Sequence, residues 1–315
     1  MGEGSRKAAE TSARSLTWNG HTGQVIAKVK DFHIIACGPC GFRHAVPLPD
    51  PGELDEVYRE EYYTLEKPDF IAYAQEDQEW AELAQTDRLA IFERRLPRER
   101  RRLLDIGCGP GWFLKTAKER GWQVRGIEPS RQAAAHARNL GIEMVEGFFS
   151  AGSAPALGTF DAIHLNNVLE HVPNPIEVLT LARDVLSPGG LLCVNVPNDF
   201  TPFQRSAATA LSLPEWWVAP PHHLNYFDFD SLAALYERLG FTSLERTTSF
   251  PMEQFLMMGL NYTTDPALGR ACHAQRKSFD LALERAGFTE TRRAFYRALA
   301  EIGLGREAVL IGSKT

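Results

Sequence analysis

The stretch LLDIGCGPGWFL, residues 103–114, constrains this chain more than any other. A buried-strand pattern (Leu103, Leu104, Ile106) runs directly into Gly107, Gly109 and Gly111, and a helical pattern begins at once. Three alternate glycines at a strand end allow a strained turn and let backbone approach a ligand that a β-carbon would block. A strand–glycine turn–helix unit of this kind belongs to the carboxyl edge of a doubly wound sheet. The next strand ends in RGIEPS, which places Glu128 where a carboxylate can accept both hydroxyls of a ribose. The spacing is G-x-G-x-G with Asp105 just ahead of it, whereas the dinucleotide fingerprint is G-x-G-x-x-G. That difference argues against a pyrophosphate resting on the helix N-terminus, and an acidic loop suits a cationic ligand better.

The surrounding sequence repeats the unit. RRLLDIG, WQVRGIEP, IEMVEG, FDAIHLNNV and LLCVNVPN read as strands, separated by the helical runs GWFLKTAKERG, SRQAAAHARNLG and PNPIEVLTLARDVLSPGG. FTSLERTTSF supplies a sixth strand after the helix DFDSLAALYERLG, and EAVLIGSK supplies the last, at the chain's end. The expectation is an α/β fold: a doubly wound, Rossmann-like seven-stranded sheet over residues 102–315, with a helical insert at about 252–303 before the last strand. That insert is expected to pack over the carboxyl edge as part of a lid. Upstream, residues 1–16 read as a disordered leader and 17–50 as a small segment with strand runs QVIAKV and DFHIIAC. Residues 51–101 read as a helical linker or lid region, in which Tyr58, Tyr62 and Tyr63 are candidates to reach the ligand pocket.

Composition narrows the partners. Hydrophobic residues make up 44% and charged residues 23%, as in a soluble globular protein, and the net charge of −6 disfavours nucleic acid and acidic membranes. The basic run RRLPRERRR, residues 94–102, is read as a solvated junction after a helix rather than a phosphate site. Five cysteines do not form a disulfide framework, which with the lack of a signal-like or membrane-length apolar run gives a cytoplasmic expectation.

Residues 102 to about 198 resemble a class I S-adenosylmethionine-dependent methyltransferase, through LLDIGCGPGWFL, GIEPS, FDAIHLNNVLEHVPNP and LSPGGLLCVNVPN in that order. The resemblance implies that Asp105, Gly107, Cys108 and Gly109 line the methionine part of S-adenosylmethionine, with Gly111 supporting the turn. It implies Glu128 on the ribose, Pro129 and Ser130 beside the adenine, Gly147 and Phe148 at the third strand's exit, and Asn166 and Asn167 at the fourth strand's end. Some relatives bind a divalent ion through E-x-x-E-H; here Asn167 stands at the first acidic place, so Glu170 and His171 are expected to shape the pocket by hydrogen bonds.

CGPCGFRH carries a C-x-x-C pair, Cys37 and Cys40, which supplies half of a zinc site. The segment resembles the N-terminal zinc-binding, ribbon-like module of certain methyltransferases, including those acting on nucleotide-linked deoxysugars. That module has two C-x-x-C pairs, and here WNGH replaces the first. His21, Cys37, Cys40 and His44 are the candidate ligands, with His33 as another histidine in the segment; free thiols in a small β segment are the alternative. Further on, WWVAPPHHLNYF holds His222 and His223 on the ligand side of the sheet. In sugar C-methyltransferases the similar segment reads about H-E-H-Y-x-Y-F-S, which aligns His223 with its second histidine and His222 with its glutamate. The missing tyrosine and the preceding Pro221 favour O- over C-methylation, with His223 as general base and His171 and His222 nearby; a loop histidine capping the next helix is the bland alternative. The expected acceptor is a small molecule, a sugar or nucleotide-linked sugar ahead of a quinone or phenol. A nicotinamide oxidoreductase and a non-catalytic cofactor-binding platform are the rivals from other classes.

Overall fold

A computed structural model describes residues 15–49 and 75–315. Nearly all of the expected leader, the first part of the linker region, and Tyr58, Tyr62 and Tyr63 lie outside the described residues. Strands β1 (Ser15–Trp18), β2 (His21–Val29), β3 (Phe32–Cys37) and β4 (Arg43–Val46) form an antiparallel meander, followed by helix α1 (Gln78–Arg95). The alternating units are β5 (Arg102–Ile106), α2 (Trp112–Glu119), β6 (Gln123–Glu128), α3 (Arg131–Asn139), β7 (Glu143–Glu146), α4 (Ala154–Leu157), β8 (Phe160–Asn166), α5 (Pro175–Val185) and β9 (Leu186–Pro197). Then come α6 (Pro202–Leu211), β10 (Asn225–Tyr226), α7 (Phe229–Arg238), β11 (Phe241–Thr247), α8 (Glu253–Met257), α9 (Pro266–Arg285), α10 (Thr289–Glu301) and β12 (Glu307–Lys314).

The seven-stranded sheet runs β11-β12-β9-β8-β5-β6-β7. Its five central and early strands pair in parallel, while β12 slots antiparallel between β9 and β11. The expected doubly wound sheet with a late last strand is therefore present. Strands covered by helices on both faces must be apolar throughout rather than alternating. β8 is buried from Phe160 to Leu165, and its two polar residues there, Asp161 and His164, are both hydrogen-bonded. Helix starts are set by side-chain caps: Ser130 Oγ accepts from the Ala133 N–H, and Thr201 with Gln204, and Asp228 with Ser231, form reciprocal capping boxes.

The meander gains a fifth strand from far along the chain. β10 pairs antiparallel with β4, His44 opposite Asn225 and Arg43 opposite Tyr226, so the second sheet runs β1-β2-β3-β4-β10. Its residues Ile35, Cys37 and Val46, with Cys40 and Phe42 of the β3–β4 turn, share one core with Leu104, Ile163 and Val194 of the large sheet and with Phe227, which follows β10. The fully buried Phe227, packed 4.9 Å from the Phe42 ring, contributes roughly 1.5–3 kcal/mol to that junction by removal from water.

Helices α8–α10 form the insert between β11 and β12 and are fastened to α1. Asp87 receives Arg292 and Arg293, Trp80 Nε1 donates to Asp280 Oδ2 at 2.7 Å, and His273 and Lys277 meet Asp77. The basic run after α1 is largely exposed, and four of its arginines also form ion pairs: Arg100 and Arg102 bond the buried Asp161, and Arg94 and Arg95 reach Glu245. Among the described residues, no helix is long and apolar enough to cross a membrane.

Candidate active site

A cavity of about 810 Å³ opens along the carboxyl edge of the large sheet, where β5, β6 and β8 end. Asp105, Gly107, Cys108, Gly109, Glu128, Pro129, Gly147, Phe148, Asn166 and Asn167 all line it, so the glycine loop and the ends of three further strands converge there. Gly107 has φ 66°, and a β-carbon there would lie 2.6 Å from Val168 Cγ2. Gly111, at the left-handed cap of α2 with φ 86°, faces Ala137 of α3, where a β-carbon would fall 2.7 Å from the alanine's own. Its role is to let two helices close behind the loop, not to line the cavity. Ser130 also stays off the wall, because its hydroxyl caps α3.

Glu128 sits at the tip of β6, 5% exposed. Its Oε2 accepts from the Gly109 N–H at 2.9 Å and its Oε1 from the Ser130 N–H at 3.0 Å. Burial outweighs these two bonds and pushes its pKa up to about 7. Each oxygen keeps acceptor capacity beyond its one backbone partner, which fits a carboxylate built to receive two hydroxyls. Cys108 is held as a neutral thiol, its pKa raised by burial and by Asp105 and Glu128.

Sequence reasoning missed the layer behind the loop. Asp105 accepts from His164 Nδ1 at 2.8 Å, and His164 stacks on Phe113 with ring centres 3.8 Å apart. Burial lowers the His164 pKa, so the ring is neutral; its Nε2 accepts from Arg88 Nη1 at 3.1 Å, and the same Arg88 nitrogen donates to Asn166 Oδ1 at 2.8 Å. Asn195 Nδ2 closes the chain by donating to Asn166. Arg88 comes from α1, and no local motif marks it; only its place on the buried face of that helix carries a signal.

The same cavity is also lined by Glu170, His171 and His223, together with Trp216, Trp217, Asp199 and Arg306. His171 Nδ1 donates to the His222 carbonyl at 2.7 Å, and the His171 and His223 rings meet edge to face at 5.0 Å. His222 itself is exposed and is not on the cavity wall: its backbone oxygen, not its ring, serves the site. The two histidines close a turn in which the His223 N–H donates to the Ala219 carbonyl at 2.9 Å, and of the pair only His223 reaches the wall. Ligand atoms of Glu170, His171 and His223 lie within 4.8 Å of one another, a set of one carboxylate and two imidazoles able to share a proton or to hold a divalent cation. Asp199, buried, is pushed up to about 7 by desolvation, and the indole N–H groups of Trp216 and Trp217 have no partner among the described residues.

The second candidate centre is separate from this cavity. His21, Cys37, Cys40 and His44 bring four ligand atoms within 4.8 Å of one another. His21 Nδ1 lies 3.2 Å from Cys40 Sγ and 3.7 Å from Cys37 Sγ, and all five cysteines of the chain are free thiols. His33, on β3 opposite Val46, is not part of the group.

A family model described as a methyltransferase domain matches residues 74–246. The chain is similar to a ubiquinone biosynthesis O-methyltransferase of Caulobacter sp. (strain K31), 35% identical over 147 residues, 43% of this chain and 58% of that protein. A protein of the same description from Cereibacter sphaeroides (strain ATCC 17029 / ATH 2.4.9) is 32% identical over 161 residues, 48% of this chain and 64% of that protein. The chain thus spans somewhat under two thirds of the length of these relatives. A solved SAM dependent methyltransferase from Archaeoglobus fulgidus aligns with a TM-score of 0.49 at 18% identity, over 77% of this chain and 99% of that one. The family match takes in more than half of the sequence, from α1 through the glycine loop to β11, and the chain accordingly belongs to the class I S-adenosylmethionine-dependent methyltransferases.

Proposed function

We propose that this enzyme methylates a hydroxyl oxygen on a small phenolic or quinol-like acceptor, with His223 as the base. The observation that carries the proposal is a single cavity lined both by Gly107, Gly109 and Glu128 and by His171 and His223. The same cavity is lined near the histidines by Trp216 and Trp217, flat apolar surfaces with unpartnered N–H donors that suit an oxygen-bearing ring. The relatives' description as ubiquinone biosynthesis O-methyltransferases supports a phenol or quinol over the sugar that the histidine motif first suggests.

When bound, S-adenosylmethionine supplies an activated methyl group on a sulfonium sulfur. In the protein, Glu128 would hold the ribose and the backbone at Gly107 and Gly109 would admit the methionine portion. Asp105, fixed by His164, adds negative charge beside the cation. His171, anchored by the His222 carbonyl, orients its neighbour, and His223 would hold the proton that the acceptor hydroxyl gives up. The aromatic wall and the insert, through Asp280, Arg292 and Tyr296, exclude water from the same space.

The test is methyl incorporation, read by mass spectrometry, across phenols, catechols, hydroquinones and nucleotide-linked sugars. Turnover of a hydroxylated ring is expected, with His223→Ala lowering kcat by ~10²–10⁴-fold while the cofactor Kd stays the same. Turnover of sugars alone would return the acceptor to the carbohydrate class.

A further inference from the structure

We propose that His21, Cys37, Cys40 and His44 hold one structural zinc ion, and that this ion positions His223 through the β4–β10 strand pair. The fit of the site to zinc comes first. His44 is 2% exposed, and its Nδ1 donates to the Ala45 carbonyl at 3.0 Å. That bond fixes the neutral tautomer and leaves the lone pair on Nε2, a buried atom with no partner among the described residues. A buried lone pair without a donor is costly, and a metal ion is the partner that an imidazole beside two thiols awaits. Zinc bonds of ~2.3 Å to sulfur and ~2.0 Å to nitrogen make a tetrahedron whose edges are roughly 3.5 Å. The His21 separations from the two sulfurs, 3.2 and 3.7 Å, bracket that edge. The His21 and His44 rings stand 4.6 Å apart at 78°, as two imidazoles pointing at one centre do. Four protein ligands leave no open position, so the ion is structural.

The consequence for His223 follows from register. His44 is the residue opposite Asn225, so a zinc ligand and the second residue after His223 are strand partners. The Ala45 N–H donates to the Leu224 carbonyl at 2.8 Å. Leu224 and Asn225 in turn donate their N–H groups to the Glu170 carbonyl, and Asn225 Nδ2 donates to the carbonyls of Leu169 and Val172. Tyr226 Oη donates to the His223 carbonyl at 2.8 Å. Two further ties run from the metal cluster's own strands: Arg43 to Asp228 at 2.7 Å, and Arg238 Nη1 to the Pro39 carbonyl between the two cysteines. The ion therefore stiffens β4, β4 supports a two-residue strand too short to hold itself, and that strand carries His223 on one side and fastens the His171 loop on the other.

The kinetic part of this inference rests on the proposed methyl transfer, while its physical part does not. The experiment uses the full chain as purified, measuring zinc per chain by mass spectrometry and cobalt uptake by absorption after exchange. One zinc per chain and a tetrahedral cobalt spectrum with sulfur charge-transfer bands are expected. Chelation should then speed amide exchange over residues 223–226 by ~10-fold or more and raise the acceptor KM, with the cofactor Kd unchanged. His21→Ala, which alters the ligand nearest the surface, should reproduce the metal loss and the faster exchange in a chain that still binds cofactor. A chain that holds neither zinc nor cobalt overturns the site. Exchange indifferent to chelation, or a collapse of cofactor binding along with it, overturns the local coupling. Zinc content and exchange are read without any acceptor, so an error in acceptor class leaves both results standing.

Discussion

The two sides of the cavity are built by different rules. On the proposed cofactor side, Gly107, Gly109 and Glu128 come from one strand–turn–helix–strand unit, and Glu128 is bonded to the backbone N–H groups of Gly109 and Ser130 over short sequence distances. On the proposed acceptor side, His171, Trp217, His223, Arg292 and Arg306 come from separate loops and helices, held by β10, β4 and the insert. The first side depends on local geometry and the second on tertiary assembly, so perturbations should separate them.

Beyond the His223 substitution, the sharpest way to break the comparison is Glu128→Ala. Removing the carboxylate proposed to hold the ribose should weaken S-adenosylmethionine by ~10–100-fold in calorimetry, while kcat at saturating cofactor changes little. An equal loss of kcat would mean the two sides are not independent. A smaller effect comes from pH. Burial raises the Glu128 pKa to about 7, so its folding contribution is full below the unfolded carboxyl range and is lost as pH rises through about 7. Hydroxyl donors need the ionised form, so cofactor affinity should hold above pH 7 and fall about tenfold a unit below it. Calorimetry in buffers of different ionisation enthalpy should show proton release on binding near pH 6–7, and a flat profile would move the ribose contact elsewhere. The smallest effect belongs to Tyr226→Phe, which deletes the hydroxyl between the His223 carbonyl and the Ala219 N–H. A stability loss of ~0.5–1.5 kcal/mol by denaturant titration is expected, with the acceptor KM raised and the cofactor Kd the same.

What the sequence made legible follows the same division. Glycine spacing, strand patterns and the carboxylate after the second strand are local signals, and they placed the loop, Glu128 and the sheet as found. The four metal-type ligands were also readable, because a C-x-x-C turn and nearby histidines lie on adjacent strands of one meander. The partnership of β4 with β10 was not: a two-residue strand has no periodicity, and its pairing spans most of the chain. Arg88 and His164 hid for a related reason. A histidine inside an apolar strand and an arginine inside a helix become a buried pair only when α1 is laid across β8. The Thr201–Gln204 box at the start of α6 carries a local signal, T-P-F-Q, that a reading for chemistry passed over.

The inserted position of β12 has a consequence for how such a chain can be divided. The matched family span ends within β11, yet β11 touches the rest of the sheet only through β12, and β10 completes a sheet whose other strands lie before that span begins. The stretch that evolution repeats from protein to protein is therefore not one that can be cut out and grafted. Exchange of the N-terminal meander between relatives would have to carry its partner strand with it, and with that strand the histidine it borders, so ancestry and acceptor choice would be inherited together.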